Sequence, residues 1–353
     1  MRIIKTAAVI LFLCGFSAFS YGAGEEYILH TLMTHTDSVM TADFSKDAQH
    51  VYSAGYDNVI VKWKLDNSSN LFYLKGHEDT VNCVRASGDG KTIASASNDS
   101  TVKLWSEKSG AAVKTLSPHS HYINSVAFSK DGKKGISASS DKAVKIWSAA
   151  APYGVSATLN GHTDIVRSAV FSPDGLYAAS CGEDCTVRIW SLKTNTLLQT
   201  INFDDKMAYS VAFSSDGKYL AASGDGNNAK IWNFSKGNAS EKFVLSGHNG
   251  AINRIVFSYG GGLIATAGED TDIRVWETDT GKCIAVLSGH ADRVNDVSFS
   301  SDDKMLVSAS DDKTVIVWRV PKAENPPKAE NPLPQADNPL PKAAGQTGEG
   351  EIW

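Results

Sequence analysis

Serine, histidine and aspartate recur at fixed spacing along the chain, and together they could form the catalytic triad of a hydrolase. His162 is followed 18 residues later by Ser180 and 22 residues later by Asp184. In a triad, the histidine takes the proton of the serine hydroxyl and the aspartate orients the imidazole. The same set, however, occurs six times, and each copy adds a tryptophan six residues after the aspartate. A catalytic site is needed only once, so a set that repeats along the chain predicts a structural role and not an enzyme.

Six units of the chain contain the full set, in the order histidine, hydroxyl, aspartate, tryptophan. Their members are His35, Ser53, Asp57 and Trp63; His77, Ser95, Asp99 and Trp105; His119, Ser137, Asp141 and Trp147; His162, Ser180, Asp184 and Trp190; His248, Thr266, Asp270 and Trp276; and His290, Ser308, Asp312 and Trp318. A seventh unit lies between the fourth and the fifth of these and retains Trp232, but its aligned positions hold Asp204, Ala222 and Gly226. Because consecutive units are 42 to 44 residues apart, the chain is predicted to be an array of seven repeats.

Each unit shows the alternation of apolar and polar residues that is typical of β-strands. In SVAFSSDGKYLAAS, two alternating runs flank an Asp-Gly dipeptide, which is a frequent hairpin turn. The same dipeptide recurs at Asp89-Gly90, Asp131-Gly132 and Asp174-Gly175. Four strands fit into each unit and no helical period is present, so the sequence predicts an all-β chain whose antiparallel sheets are arranged radially.

This pattern resembles the WD-repeat β-propellers, and the resemblance covers Glu25 to Val320. The aspartate that follows the tryptophan in the family's name-giving dipeptide is absent, because lysine, serine, asparagine, glutamate or arginine stands there. The resemblance implies a seven-bladed β-propeller of four-stranded antiparallel blades. It also implies that EYILHTL, Glu26 to Leu32, pairs as the outer strand of the last blade and closes the ring.

The resemblance further implies that the four residues of each complete set are joined by buried hydrogen bonds, from tryptophan through the hydroxyl and histidine to the aspartate. A buried indole N–H, imidazole and carboxylate each need a partner, so such a network would hold the strands in register. The fifth unit along the chain has lost its three polar partners together. We therefore expect the fifth blade to be the loosest and its amide hydrogens to exchange fastest.

By the same resemblance, a partner would bind on the rim of the central channel, on the face that carries these aspartates. The candidate residues are Met40, Tyr56, Asn82, Tyr122, Asn124, Arg167, Glu183, Met207, Tyr209, Asp225, Asn253, Glu269, Arg293, Asn295 and Asp311. Four of them are large side chains of the kind enriched in binding hot spots, namely Tyr56, Tyr122, Met207 and Tyr209. Four others form an acidic arc across blades four to seven, namely Glu183, Asp225, Glu269 and Asp311. The expected partner is a protein or peptide of basic character.

Two other functions stay open from the sequence alone. A propeller enzyme would have its pocket in the central channel, although no single unit stands out by a lone catalytic residue. A membrane-anchored assembly subunit would retain its N-terminal apolar segment. A nucleic-acid partner is not expected, since the formal net charge is −5 and no basic stripe is visible. The sequence does not indicate an oligomeric state.

The two ends of the chain differ from the repeats. The first 22 residues have the plan of a secretory signal peptide, with Arg2 and Lys5 preceding the apolar run AAVILFLCGFSAF. This run is shorter than the roughly 20 residues of a spanning helix. We therefore expect cleavage after Ser20 or Gly22, export to the periplasm or the extracellular space, and no stable membrane span in the mature chain. Seven of the ten prolines lie in residues 321–353, which predicts a disordered tail.

Two cysteines in the stretch SCGEDCTVRIW could form a metal or redox site. Cys181 stands where the other complete units carry alanine, which suits a small buried thiol. A disulfide between Cys181 and Cys185 across the hairpin stays open. Two thiolates without a further pair do not make a tetrahedral zinc site, and His121 next to the network's His119 is explained by surface exposure. No metal or cofactor is expected.

Overall fold

The computed structural model describes residues 25–204 and 206–321. Within these residues the chain forms 28 β-strands and one short 3-10 helix, Glu25–Tyr27. The strands assemble into seven four-stranded sheets, and neighbouring strands in each sheet are antiparallel. The predicted all-β, seven-bladed β-propeller is confirmed.

The strands follow one another from the inside of each blade to its outside. The bounds are β1 (Ile28–Leu32); blade 1 with β2 (Val39–Phe44), β3 (His50–Gly55), β4 (Ile60–Lys64) and β5 (Ser69–Leu74); blade 2 with β6 (Val81–Ala86), β7 (Thr92–Ser97), β8 (Val102–Ser106) and β9 (Ala112–Leu116); blade 3 with β10 (Ile123–Phe128), β11 (Lys134–Ser139), β12 (Ala143–Ser148) and β13 (Gly154–Asn160); blade 4 with β14 (Val166–Phe171), β15 (Tyr177–Gly182), β16 (Thr186–Ser191) and β17 (Thr196–Asn202); blade 5 with β18 (Ala208–Phe213), β19 (Tyr219–Gly224), β20 (Asn228–Ser235) and β21 (Asn238–Ser246); blade 6 with β22 (Ile252–Phe257), β23 (Leu263–Gly268), β24 (Asp272–Glu277) and β25 (Cys283–Ser288); and blade 7 with β26 (Val294–Phe299), β27 (Met305–Ser310) and β28 (Val315–Arg319).

In blades 2 to 5, the turn between the first two strands is formed by the predicted Asp-Gly dipeptide. In blade 4, the Ser172 hydroxyl donates a hydrogen bond of 2.5 Å to Asp174 Oδ1, which also accepts one from the Leu176 backbone N–H. Gly175 has a φ of +68°, a left-handed conformation that glycine adopts at little cost. The turn sequence therefore sets the register of the inner hairpin.

The hydrophobic core lies between neighbouring blades and not within one of them. Seven buried clusters fill these spaces, and each contains one of the tryptophans, for example Trp190 in the cluster shared by blades 3 and 4. A single sheet cannot bury both of its faces, so each blade depends on the two blades beside it. The ring must close for every blade to be covered.

Closure is made by the N-terminal strand, as the resemblance implied. The order of the last sheet is β1-β28-β27-β26, with Leu32 paired to Val315 in an antiparallel register. The Leu32 side chain is buried in the cluster between blades 7 and 1. The two ends of the described chain thus share one sheet, and no blade of the ring is left with a missing outer strand.

The predicted signal peptide and nearly all of the predicted tail lie outside the described residues, so these two domain boundaries stay predictions. Among the residues that the structure describes, no helix has the length and hydropathy required to cross a bilayer.

Candidate functional site

The recurring histidine, hydroxyl, aspartate and tryptophan form one hydrogen-bonded chain in each of the six complete blades. In blade 4, His162 Nδ1 lies 2.8 Å from Asp184 Oδ2, and His162 Nε2 lies 2.7 Å from Ser180 Oγ. The Trp190 indole donates to the same hydroxyl oxygen at 2.8 Å. The other five blades repeat these contacts. The Ser180 hydroxyl is buried, so these sets cannot act as triads on a substrate.

The network aspartates are held ionised by their partners. Burial would raise the pKa of Asp141, but the hydrogen bond and the charge of His119 outweigh it and lower this pKa to about 2. The pKa values of Asp57, Asp99, Asp184, Asp270 and Asp312 are lowered by the same balance of causes. Each carboxylate also accepts a backbone N–H from the residue after the histidine, as Asp184 does from Thr163 at 3.1 Å. The network therefore joins the loop before the first strand of a blade to the turn between its second and third strands.

The cysteines of SCGEDCTVRIW belong to this architecture. Cys181 is a buried, unbridged thiol, and burial raises its pKa, so the disulfide with Cys185 is not formed. Cys185 has a φ of +61° in the tight turn after Asp184, and Asn58 and Lys142 hold the same left-handed position in other blades. No cluster of metal-ligating side chains occurs in the described residues.

Blade 5 replaces the polar network with aromatic packing. Phe203, one residue before the aligned Asp204, places its ring 6.4 Å from Trp232. Histidine rings lie 6.0 to 6.5 Å from their tryptophans in five other blades. Phe234 packs against Tyr177 and Phe213 nearby. Alignment of the units therefore missed Phe203, because this ring lies one residue before the position that holds the histidine in the other units.

We call the face that carries the network aspartates the top face, and the face that carries the Asp-Gly turns the bottom face. The central channel contains a cavity of about 340 Å³. Ten of the fifteen predicted rim residues line it, namely Met40, Tyr56, Asn82, Asn124, Arg167, Tyr209, Asn253, Glu269, Arg293 and Asn295. The other five, Tyr122, Glu183, Met207, Asp225 and Asp311, do not line this cavity. The structure thus brings most of the predicted positions together at one opening, while their role in binding stays a prediction.

The four rim asparagines join neighbouring blades. Each donates its side-chain amide to a backbone carbonyl of the next blade: Asn82 to Ile123, Asn124 to Val166, Asn253 to Val294 and Asn295 to Val39, at 2.8 to 3.0 Å. The equivalent positions in the remaining blades hold Met40, Arg167 and Tyr209. Within the described part of the chain these three side chains make no such bond to the next blade, so they are the more available surface for a partner.

The acidic arc is partly neutralised by rim arginines. Arg167 forms an ion pair with Glu183, and its guanidinium lies 5.8 Å from the centre of the Tyr209 ring. Arg293 forms a second ion pair, with Asp311. Asp225 and Glu269 form no ion pair within the described residues, and both are exposed. Negative charge is therefore concentrated on the side of the rim formed by blades 5 and 6.

Deeper in the channel lies a charged cluster that sequence reasoning missed. Arg85 contacts Asp296 with both of its terminal nitrogens, at 2.9 and 3.2 Å. Asp296 also accepts the Thr41 hydroxyl at 2.8 Å, and Arg254 Nε lies 3.1 Å from its other oxygen. A comparison of units at the sixth residue after each histidine would have found two of these residues. That position holds Thr41, Cys83, Ser125, Ser168 and Ser210 in blades 1 to 5, but Arg254 and Asp296 in blades 6 and 7.

Comparison with protein families agrees with this geometry. The family model described as WD domain, G-beta repeat matches seven consecutive segments, residues 26–64, 68–106, 110–148, 154–191, 195–233, 239–277 and 281–319. The chain belongs to the WD-repeat family. No curated protein matches it. WD-repeat propellers generally mediate protein–protein interactions and are generally non-enzymatic scaffolds, and this chain has the fold that is typical of them.

Proposed function

We propose that this WD-repeat protein is an exported scaffold that binds a peptide or protein of basic character on the rim of its top face. The observation that carries the proposal is the opening around Tyr209, where large side chains and unpaired carboxylates meet. Tyr209 lines the cavity, and the exposed Glu269 lines it with Tyr209. Burial, and then the charge of Asp225, raise the pKa of Tyr209. This opening offers an anchor for a partner side chain and negative charge for a cation beside it.

Exposed apolar surface around the opening supports the same site. Tyr56, Tyr122 and Met207 are 49%, 45% and 37% exposed, respectively. Tyrosine supplies contact area at small entropic cost and is enriched in hot spots, and the flexible methionine side chain adapts to irregular partner surfaces. The rim asparagines contribute shape more than energy, because their amides are already bonded to the next blade. We therefore place the binding energy on the tyrosines and the two unpaired carboxylates.

Export is supported by the composition of the first 22 residues. The test is the N-terminal sequence of the protein purified from its native host, together with its distribution between cellular fractions. A mature chain that begins at Tyr21 or Ala23 in an exported fraction is the expected result. A chain that retains residues 1–20, in the membrane or in the cytoplasm, would contradict export and favour an anchored subunit.

Rim binding is tested by capturing partners from the exported fraction with the wild-type chain and a Tyr122→Ala, Tyr209→Ala double variant. The matched control is Tyr259→Ala, which removes a 61% exposed tyrosine from the bottom face. We expect the double variant to lose its partner and the control to keep it. Charge is tested separately with Asp225→Asn, Glu269→Gln, which should weaken binding and reduce its dependence on salt. Equal recovery by all variants would rule out the rim.

A further inference from the structure

The lining of the channel cavity carries more positive than negative charge. Its charged residues are Arg85, Arg167, Arg254, Arg293, Glu269 and Asp296. At the rim, Arg167 and Arg293 are paired with Glu183 and Asp311. The deeper pair, Arg85 and Arg254, has to share the single carboxylate of Asp296.

Most of the hydrogen-bonding capacity of the Asp296 carboxylate is taken up by partners other than Arg254. Its carboxylate binds Arg85 through both oxygens and also accepts the Thr41 hydroxyl and the Ala42 backbone N–H. Arg254 approaches only one oxygen, at 3.1 Å, without the geometry of a hydrogen bond. Arg254 Nε is inaccessible to solvent and donates no hydrogen bond within the described part of the chain. The terminal nitrogens of Arg254 are not enclosed in this way and donate no hydrogen bond within the described residues, so this end of the guanidinium is open to the cavity that Arg254 lines.

A second buried carboxylate does not supply an acceptor to Arg254. Asp43 accepts the Ser298 hydroxyl at 2.8 Å and the Ala86 backbone N–H at 3.0 Å, and it does not line the cavity. Burial raises its pKa, and the charge of Arg85 opposes this shift. Arg254 therefore shares Asp296 with Arg85 and has no carboxylate of its own within the described residues.

We propose that the channel cavity binds one small oxyanion, a carboxylate or a phosphate group, with Arg254 as its principal donor. A guanidinium presents planar pairs of N–H groups that match the two oxygens of such an anion. Ser125 lines the same cavity, and its hydroxyl oxygen accepts a hydrogen bond from the Ala169 N–H. The cavity of about 340 Å³ has room for a group of this size. The site does not depend on the proposed rim partner, although the anion could be that partner's own carboxylate.

The test is calorimetric titration of the purified mature chain with sodium phosphate and with sodium acetate, against sodium chloride at equal ionic strength. We expect saturable binding of one anion per chain and at least a tenfold loss of affinity in Arg254→Gln. The matched control is Arg274→Gln, because Arg274 lies in the same blade, its side chain is equally 18% exposed, and its Nε also lacks an acceptor, but it is outside the cavity. The control should bind within twofold of wild type. No saturable binding, or equal affinity in Arg254→Gln, overturns the proposal.

A second variant decides the outcome if Arg254→Gln does not fold. Arg254→Lys keeps the charge next to Asp296 but lacks the paired donors, so it should bind several-fold more weakly than wild type. Affinity equal to wild type would overturn the role of Arg254. The source of the anion is distinguished by titration with triglycine and with its C-terminal amide. Binding of triglycine but not of the amide indicates a peptide carboxylate, whereas binding of phosphate alone indicates a free anion.

Discussion

Asn295 Nδ2 lies 3.0 Å from the backbone carbonyl oxygen of Val39 and donates a hydrogen bond across the seam between the last blade and the first. The two residues are 256 positions apart in the chain. Asp296, the next residue, crosses the same seam to Thr41 and to the Ala42 backbone N–H. The ring is therefore closed at its centre by side chains, in addition to the pairing of β1 with β28 at its edge.

This seam predicts that Asn295→Ala destabilises the fold and does not act on binding. The substitution leaves the Val39 carbonyl without its partner, so the free energy of unfolding should fall by about 1 to 3 kcal/mol. Urea denaturation measures the change, and capture of the rim partner should be unaffected under native conditions. A variant of normal stability that loses the partner would show instead that Asn295 contacts the ligand.

The network predicts a large effect for a single buried hydroxyl. Ser180→Ala leaves the Trp190 indole and His162 Nε2 without a shared partner. We expect the free energy of unfolding to fall by about 1 to 3 kcal/mol, because both groups stay buried. Ser240→Ala is the matched control, since Ser240 is exposed on an outer strand. If the two variants unfold at the same urea concentration, the network does not stabilise the blade.

The lowered pKa values of the network aspartates predict sensitivity to acid. A carboxyl whose pKa is lower in the folded state stabilises the fold above its unfolded pKa of about 4, and this contribution is lost as pH falls through the folded value. For Asp141, with a folded pKa of about 2, the loss occurs between about pH 4 and pH 2. Asp141→Asn should be less stable than wild type at pH 7, and the difference should shrink over that interval. Thermal unfolding across this pH range checks the sign, and a constant difference would contradict it.

Blade 5 predicts a local difference in hydrogen exchange. Its entry loop is held to Trp232 by the Phe203 ring, without the hydrogen bonds that fasten His162 to Asp184 in blade 4. Local opening should therefore cost less free energy there. Amides of β18 and β19 should exchange faster than those of β14 and β15, as measured by mass spectrometry. Equal protection would mean that the aromatic cluster around Phe234 compensates fully for the missing network.

Most of the fold could be predicted from the sequence because the same local signals recur in every repeat. The spacing from histidine to tryptophan, the Asp-Gly turns and the strand alternation are local, and seven copies average out the ambiguity of any one of them. The closing strand was predicted from the family resemblance, which implied that EYILHTL pairs in the last blade. Phe203 was the exception. It lies one residue before the position that aligns with the histidines, so a comparison at fixed spacing finds Asp204 instead.

The candidate site could be predicted only in part. The family resemblance implied fifteen rim residues, and ten of them line the cavity. Asn295 and Tyr209 occupy the same position in their units, and the sequence did not show that the Asn295 amide is bonded to the next blade. Whether such a side chain is engaged depends on the neighbouring blade: Asn295 donates to the Val39 carbonyl, whereas Tyr209 makes no such bond within the residues that the structure describes. The channel cluster was missed for the same reason, as Arg85 and Asp296 are 211 residues apart and meet only when the ring closes.

The count of repeats in the sequence determined the number of blades, and the spacing within each repeat determined its strands. The family resemblance added the buried networks, whose members all lie within one repeat. Tertiary structure decided which rim groups are engaged, how the acidic arc is neutralised and where positive charge collects in the channel. Those properties depend on contacts between residues of different blades, and the sequence of a single repeat does not give the distances between such residues.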